Sequence, residues 1–582
     1  MTLTKFLKER FFGCLSFLFS LLVSLFWTAL RVNYAGISKF LGADKNQSFL
    51  VIYLPVIICM LLWLLTALSF IGLLVYPKRK LLSIITFITS ILFTGAIGAV
   101  VYFGAFDYLG FILPHFYISL AVTAVILIFL LALFVPGVNN RMTVILKMFV
   151  ALALILGSVF IGYQIRPNKF VCEGVVYAVE DDYQIVFSTS DNSIAWVDVD
   201  GQKFYETYAG SMKSRELIHK VVVPQEVLDK AGHYTIYAQQ MIYRGAFGGY
   251  KGDIIAVEHR FYPVDSSDGI RYYTISDVHE AFDAAAETVR KAGKIDFLVV
   301  LGDIVSQVEW EKDALATSLM CNKITNGEIP VVYARGNHEI HGQYAEDFYK
   351  YVGARGEDFY YTFQLGDIRG IALDMGEDHD DDWWEYYDTA QFDAYRDEQS
   401  AFLQKCIDEN YFDGCSYRMV ICHIPIPFVN YRGNHIKYKP LWTSLINELN
   451  VDIVLSGHQH DLTIFEPGVV KPDQTLVYNR YFSGEEGKTY KGHLTDFSFV
   501  SFLVARRSLV QNGDTQQFKY SEYTGMLTEV DLNQGIQRCR YTNVNGEVVE
   551  VCNIFASTPP QKEFVVPLHH DQQQPEEQSI NE

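Results

Sequence analysis

Basic residues are scarce: 47 Lys and Arg stand against 67 Asp and Glu in 582 residues, a formal charge of −20. Sequence-independent binding to nucleic-acid phosphates needs clustered Lys and Arg, so without such a cluster no nucleic-acid-binding surface is expected. Cysteine is also sparse, nine in all, an odd number that leaves at least one thiol unpaired. Charge is almost missing from the long apolar runs before Gln164, where Lys147 alone is charged, near enough to an end for its stem to snorkel. Half of the residues are hydrophobic, and that richness beside a large negative charge implies that apolar and acidic residues are segregated along the chain.

Five apolar runs, at 11–30, 49–76, 81–106, 111–134 and 142–163, are each long enough for a hydrocarbon core of about 30 Å. They predict an α-helical membrane region of five spans over residues 1–166. Lys5, Lys8, Arg10, Lys78, Arg79, Lys80 and Arg141 fall on one side of it, and Arg31, Lys39, Lys45, Arg166 and Lys169 on the other. The bias favours a cytoplasmic N-terminus. Five spans, or four after cleavage of a signal sequence, then deliver the rest to the exoplasmic side. The expectation is an integral membrane protein whose chain after residue 166 lies on the extracellular or periplasmic side, beside membrane lipid.

From about 167 to 265 the pattern turns to short runs rich in Val, Ile, Tyr and Phe, about seven strands, which suits a small antiparallel β-sandwich. Asp200-Gly201 marks a hairpin within it. Near the end, IQRCRYTNVNGEVVEVCNIF reads as two strands around a two-residue Asn545-Gly546 turn. Counting outward pairs Val544 with Glu547 and sets Cys539 opposite Cys552, with Cα atoms about 4.5 Å apart, within reach of a disulfide. That bridge is expected, and Cys406 with Cys415 is a weaker second pair.

The chemistry-bearing signals lie between. RYYTIS leads into Asp277-Val278-His279, DFLVV into Leu301-Gly302-Asp303, and PVVYA into Arg335-Gly336-Asn337-His338-Glu339. Later YRMVIC leads into His423, and VDIVLS into Gly457-His458-Gln459-His460. Five strand ends thus each deliver oxygen or nitrogen ligands to the carboxyl edge, where open α/β sheets build their sites. Two divalent ions about 3.5–4 Å apart need a bridging carboxylate, imidazoles, and open positions for water and substrate. Asp303 is the natural bridge, and the neighbouring glycines permit tight turns beside it.

This constellation resembles the calcineurin-like metallophosphoesterase superfamily, and the order of the surrounding sequence is similar to the purple acid phosphatases. The resemblance implies an α/β four-layer (α-β-β-α) catalytic domain, placed here at 266–556. It implies that Asp277, His279, Asp303 and His460 hold one metal, and Asp303, Asn337, His423 and His458 the other. His338 would contact the phosphate and protonate the leaving oxygen. Purple acid phosphatases carry a tyrosine where this chain has Ser306, and a glycine where it has His279. The site is therefore expected to be complete but not purple, with two divalent ions among Mn, Zn and Fe.

His341 and His435 are possible substrate contacts. Asp374 is expected to hydrogen-bond near the site, the run Asp378, Asp380, Asp381 and Asp382 to form a solvated loop, and residues 557–582 a disordered polar tail. The expected activity is hydrolysis of phosphate esters, monoesters foremost. A membrane receptor that keeps the fold as a binding module, and a phosphodiesterase or lipid-phosphate hydrolase, stay open.

Overall fold

The β-branched and aromatic runs form strands that pair into two large sheets. The computed structural model describes residues 168–569, apart from 209–211, 245–248, 380, 431–434, 461, 468–475, 485–486, 495–496, 506–508, 513–514, 519–521 and 552–558, together with six positions between Leu81 and Leu92. The chain divides into two compact units, Met1–Pro167 and Asn168–Glu582; the elements below belong to the second.

The first sheet runs in the order Phe564–Pro567, Ile536–Asn543, Thr524–Asp531, Ile270–Ile275, Phe297–Val300, Pro330–Tyr333, Phe170–Val179, Asp182–Val199, His233–Arg244, Gly249–Arg260. Its centre, from Ile270–Ile275 to Phe170–Val179, is parallel. The second sheet runs Tyr361–Leu365, Ile368–Leu373, Tyr417–Cys422, Ile453–Ser456, Val500–Leu503, Thr463–Phe465, and its middle four strands are parallel. Parallel strands need both faces covered, and alternation along each strand does this. Met419, Ile421, Ile453 and Leu455 join the core shared with the first sheet. Val420, Cys422 and Val454 instead meet Leu403, Trp442, Leu445 and Ile446 of the helices Phe392–Asp408 and His435–Leu449. In the first sheet Tyr272 reaches across to Tyr417 of the second, hydroxyl to hydroxyl at 3.0 Å, and the Tyr417 hydroxyl donates to Gln537 Oε1. Tyr273 points the other way, toward Thr542 and Thr288 of the helix Phe282–Ala292. The layers are helix, sheet, sheet, helix.

The expected disordered tail of 557–582 holds a strand, Phe564–Pro567, paired with Ile536–Asn543, and three further expectations are corrected. Among the described residues no helix is long and apolar enough to cross a membrane. The described α-helices of the second unit have 7 to 17 residues, short of the roughly 20 that a bilayer core requires, and each buries one face in the domain. The five-span fold class and the integral-membrane, exoplasmic localisation built on it are not supported. The segments expected to span lie outside the described residues but for the six positions in 81–92. Secondly, the strands of 167–265 do not close into a separate sandwich. Phe170–Val179 pairs in parallel with Pro330–Tyr333, Val176 beside Pro330 and Tyr177 beside Val331, so they extend the first sheet. Within them the Asp200-Gly201 turn, both residues at positive φ, joins Val199 to Gln202.

The third correction is the disulfide. Asn543 N–H donates to Glu547 O, Gly546 N–H to Asn543 O, and Thr542 faces Val548. The loop is therefore Val544-Asn545-Gly546, three residues ending on a glycine with φ 79°, a turn with a one-residue bulge rather than a two-residue turn. One residue of slip turns every later side chain to the other face, and the strand positions beside Cys539 are taken by Thr528 and Phe564. Cys539 is a buried free thiol whose sulfur accepts a hydrogen bond from Thr528, and its backbone neighbour is Phe564; Cys552 lies outside the described residues. Cys406 and Cys415 are likewise free and buried. Protein unfolded without reductant and alkylated should carry the label on Cys539 by mass spectrometry; a peptide cross-linked between Cys539 and Cys552 would contradict this register.

Candidate metal centre

Each candidate side chain stands just past the carboxyl end of a parallel strand. Ile270–Ile275 delivers Asp277 and His279, Phe297–Val300 delivers Asp303, and Pro330–Tyr333 delivers Asn337 and His338. From the second sheet, Tyr417–Cys422 delivers His423 and Ile453–Ser456 delivers His458 and His460. The backbone there is forced into an unusual shape. Asp277, His279, Asp303, His458 and His460 all have φ between 41° and 72°, a conformation that costs about 1 kcal/mol or more per residue and persists only where surroundings over-determine it. Part of that constraint is Glu339, fully buried, whose carboxylate accepts the backbone N–H groups of Asp303 (2.8 Å), Ile304 (2.7 Å) and Gly336 (3.0 Å).

The ligand atoms fall into two groups that share one residue. Asp277, His279, Asp303 and His460 each place an atom within 4.8 Å of the others, and so do Asp303, His423 and His458. Asp303 Oδ2 is 3.1 Å from His423 Nε2, 3.7 Å from His279 Nε2 and 3.8 Å from His338 Nε2. Asn337 Oδ1 joins the second group, 3.2 Å from His423 Nε2 and 3.0 Å from His458 Nδ1. His460 Nε2 is 3.3 Å from Asp277 Oδ1 and 3.1 Å from His279 Nε2. Asp277, Asp303 and His423 are at most 1% exposed.

The donor set fits cations. The Nδ1–H of His423 donates to the Leu301 carbonyl, so that in the neutral ring the Nε2 lone pair is aimed at Asp303 and at the Asn337 oxygen. Acceptors thus converge with few protons between them, and a cation is what reconciles them. The same pressure shows in the ionisation of His423. Burial opposes its charge most strongly, but the carboxylates of Asp303, Asp277 and Glu339 together outweigh it and raise the ring to about 10. A proton there stands in for a metal ion.

The other expected residues have definite places. His338 donates Nδ1–H to the Ser306 carbonyl (2.7 Å), so its Nε2 looks into the site, and its side chain is 38% exposed. His341 is tied by Nε2 to Glu377 Oε1 at 2.9 Å. His435 begins the helix His435–Leu449, and its side chain is outside the described residues. Asp374 holds Arg335 (2.7 Å to Nε). Ser306 turns its hydroxyl to Glu280 at 2.8 Å. The acidic run is not simply solvated: Asp381 accepts the N–H groups of Phe392 and Asp393 at the start of the helix Phe392–Asp408, and Asp378 pairs with His379 at 2.8 Å. Glu339 and Glu377 escaped the sequence reading as site residues. Glu339 had a signal, directly following the Gly-Asn-His run; Glu377 had none in its local spacing.

Residues 270–462 match the family model described as Calcineurin-like phosphoesterase. Within those residues, less than half of its length, the chain carries a calcineurin-like phosphoesterase domain. It is 24% identical over 190 residues, 31% of its length, to the serine/threonine-protein phosphatase CPPED1 of Rattus norvegicus, and spans 58% of that relative. Among solved structures it is similar to purple acid phosphatase PPD1 of yellow lupin, Lupinus luteus, at 13% identity and a TM-score of 0.42, covering 69% of this chain and 75% of that one. A dimetal phosphatase of Danio rerio matches at 11% identity and a TM-score of 0.31, covering 52% of this chain and all of its own.

Gly336 shows how closely the backbone is packed here: a Cβ on it would lie 2.3 Å from both Asp303 N and Oδ1 and 2.6 Å from Glu339 Oε2. Gly336→Ala should lower stability by about 2–3 kcal/mol and displace Asp303, read as a shifted denaturation midpoint and weakened Mn²⁺ binding; unchanged midpoint and metal affinity would refute this packing.

Proposed function

We propose that this chain hydrolyses phosphate monoesters with two divalent cations, one held by Asp277, His279, Asp303 and His460, the other by Asp303, Asn337, His423 and His458. The observation that carries the reading is the single buried carboxylate of Asp303 common to both ligand groups. Divalent ions in such a pair supply Lewis-acid neutralisation of phosphoryl charge and lower the pKa of water. Mn, Zn and ferrous iron all suit imidazole with carboxylate. Ser306 offers no phenolate, and its hydroxyl is committed to Glu280.

The chain's own residues do the rest. Glu339 and the turn at Gly302 and Gly336 hold Asp303 still, so the ligand geometry exists before substrate arrives. Burial of Asp277, Asp303 and His423 keeps water from screening the charges there. His338 is exposed enough to be reached, and the Ser306 carbonyl fixes its tautomer with Nε2 toward the site. From that place the imidazolium, with Nδ1–H held by Ser306 and a second proton on Nε2, hydrogen-bonds the phosphoryl group and hands the Nε2 proton to the departing alkoxide, a general acid worth about 10²–10⁴-fold.

Two outcomes are expected. Hydrolysis of an aryl phosphate by the purified chain should vanish with chelator and return on addition of Mn²⁺ or Zn²⁺; turnover indifferent to chelator, or none with any divalent ion, defeats the proposal. His338→Ala should lower kcat about 10²–10⁴-fold on an alkyl phosphate and much less on a nitrophenyl phosphate, whose leaving group needs no proton. Equal losses on both substrates would remove His338 from the acid role.

A further inference from the structure

Asn337 has a side chain with two chemically opposite ends, and only its oxygen can serve a cation. Glu377, on the loop after the strand Ile368–Leu373, decides which end faces the site. Its carboxylate is buried and can only accept hydrogen bonds. Oε1 takes Asn337 Nδ2 at 3.0 Å and His341 Nε2 at 2.9 Å, while Oε2 takes the N–H of Asp378 at 2.9 Å. An inverted Asn337 amide would set oxygen against oxygen in a buried place, a cost of several kcal/mol in a group that water cannot reach. The amide is therefore held with Oδ1 toward His423 and His458. The next residue acts in the same direction on the ring: Asp378 Oδ2 lies 3.5 Å from His458 Nε2, on the far side of the imidazole from the Asn337 oxygen.

The loop that carries these carboxylates is fastened from behind. Arg396, fully buried on the helix Phe392–Asp408, donates to the backbone carbonyls of Met375 (2.9 Å) and Glu377 (2.5 Å). Gln399 of the same helix exchanges hydrogen bonds with the backbone of Asp374, 2.8 Å from its N–H and 2.6 Å from its carbonyl. The position of Glu377 is thus set by the second sheet and its helix, independently of Asn337 on the first.

We propose that Glu377 is a positioning residue that fixes the Asn337 amide with its oxygen toward the second cation site, so that occupancy of that site, and not of the first, depends on residue 377. The proposal rests on the two-cation reading above. Carboxylates that orient metal ligands from behind typically contribute 10–100-fold to metal affinity.

The test is a titration of the full chain with Mn²⁺ alone, followed by calorimetry and by electron paramagnetic resonance, in four forms: wild type, Glu377→Ala, Asn337→Asp and the double variant. Wild type should bind two Mn²⁺ as a spin-coupled pair. Glu377→Ala should keep the first affinity, which also shows that it folds, and lose about 10–100-fold at the second, with an uncoupled six-line spectrum at two equivalents. Asn337→Asp presents oxygen at both ends and needs no orienting. In that background Glu377→Ala should leave the second affinity unchanged or raise it, because it removes a like charge. An equal loss in both backgrounds, or a loss shared by both sites, would overturn the positioning role. Wild-type protein that binds no pair of Mn²⁺ would instead overturn the two-cation reading, and the inference with it.

Discussion

A carboxylate buried at the meeting of two sheets needs compensating charge, and Asp303 is such a group: it is 1% exposed and stands at a backbone φ of 52°. Moving an unpaired carboxylate out of water costs several kcal/mol even after relaxation. Three imidazoles approach it within 3.8 Å, and three backbone N–H groups around its turn are gathered by Glu339. That network suits positive charge between the two groups of side chains. The same interactions that make Asp303 expensive to bury keep it aimed when a cation is present.

Topology makes the meeting possible. Each sheet is parallel at its centre, so its strands all end on one edge, and both sheets present that edge to the same place. Asp277, Asp303 and Asn337 come from one sheet, His423, His458 and His460 from the other. The seam is held by Tyr272 and Tyr417, whose hydroxyls meet between the layers with Gln537. Arg335 on one sheet and Asp374 on the other pair at 2.7 Å close to the site, which ties the two ligand sets to a fixed separation.

Much of the parallel-strand framework is readable in the residues alone, because an apolar β-run that stops at Asp, Asn or His marks its own end, and the side chains gathered there, within six or seven positions. Each of the five strand ends does this. What fails to be readable is whatever depends on partners far along the chain. Phe170–Val179 has the alternation of a sandwich strand, yet its parallel pairing to Pro330–Tyr333 is a choice made 150 or so positions away. Asn545-Gly546 predicts a turn correctly but not its length; the extra loop residue moves the register by one, and Thr528 and Phe564 take the strand positions beside Cys539. Hydropathy windows predicted five spans, whereas no described helix is long and apolar enough to cross a membrane. Glu377 looks like any loop acid in the sequence, since its partners Asn337, His341 and Arg396 come together only in the folded chain.

The central claim is that one carboxylate is shared between two cation sites. Crystals of the full chain grown with Mn²⁺ and measured at a wavelength where manganese scatters anomalously would test it most directly. Two anomalous peaks flanking the Asp303 carboxylate, one against His279 and His460 and the other against Asn337, His423 and His458, are predicted. A lone peak out of reach of Asp303, or no peak between these side chains, would contradict it.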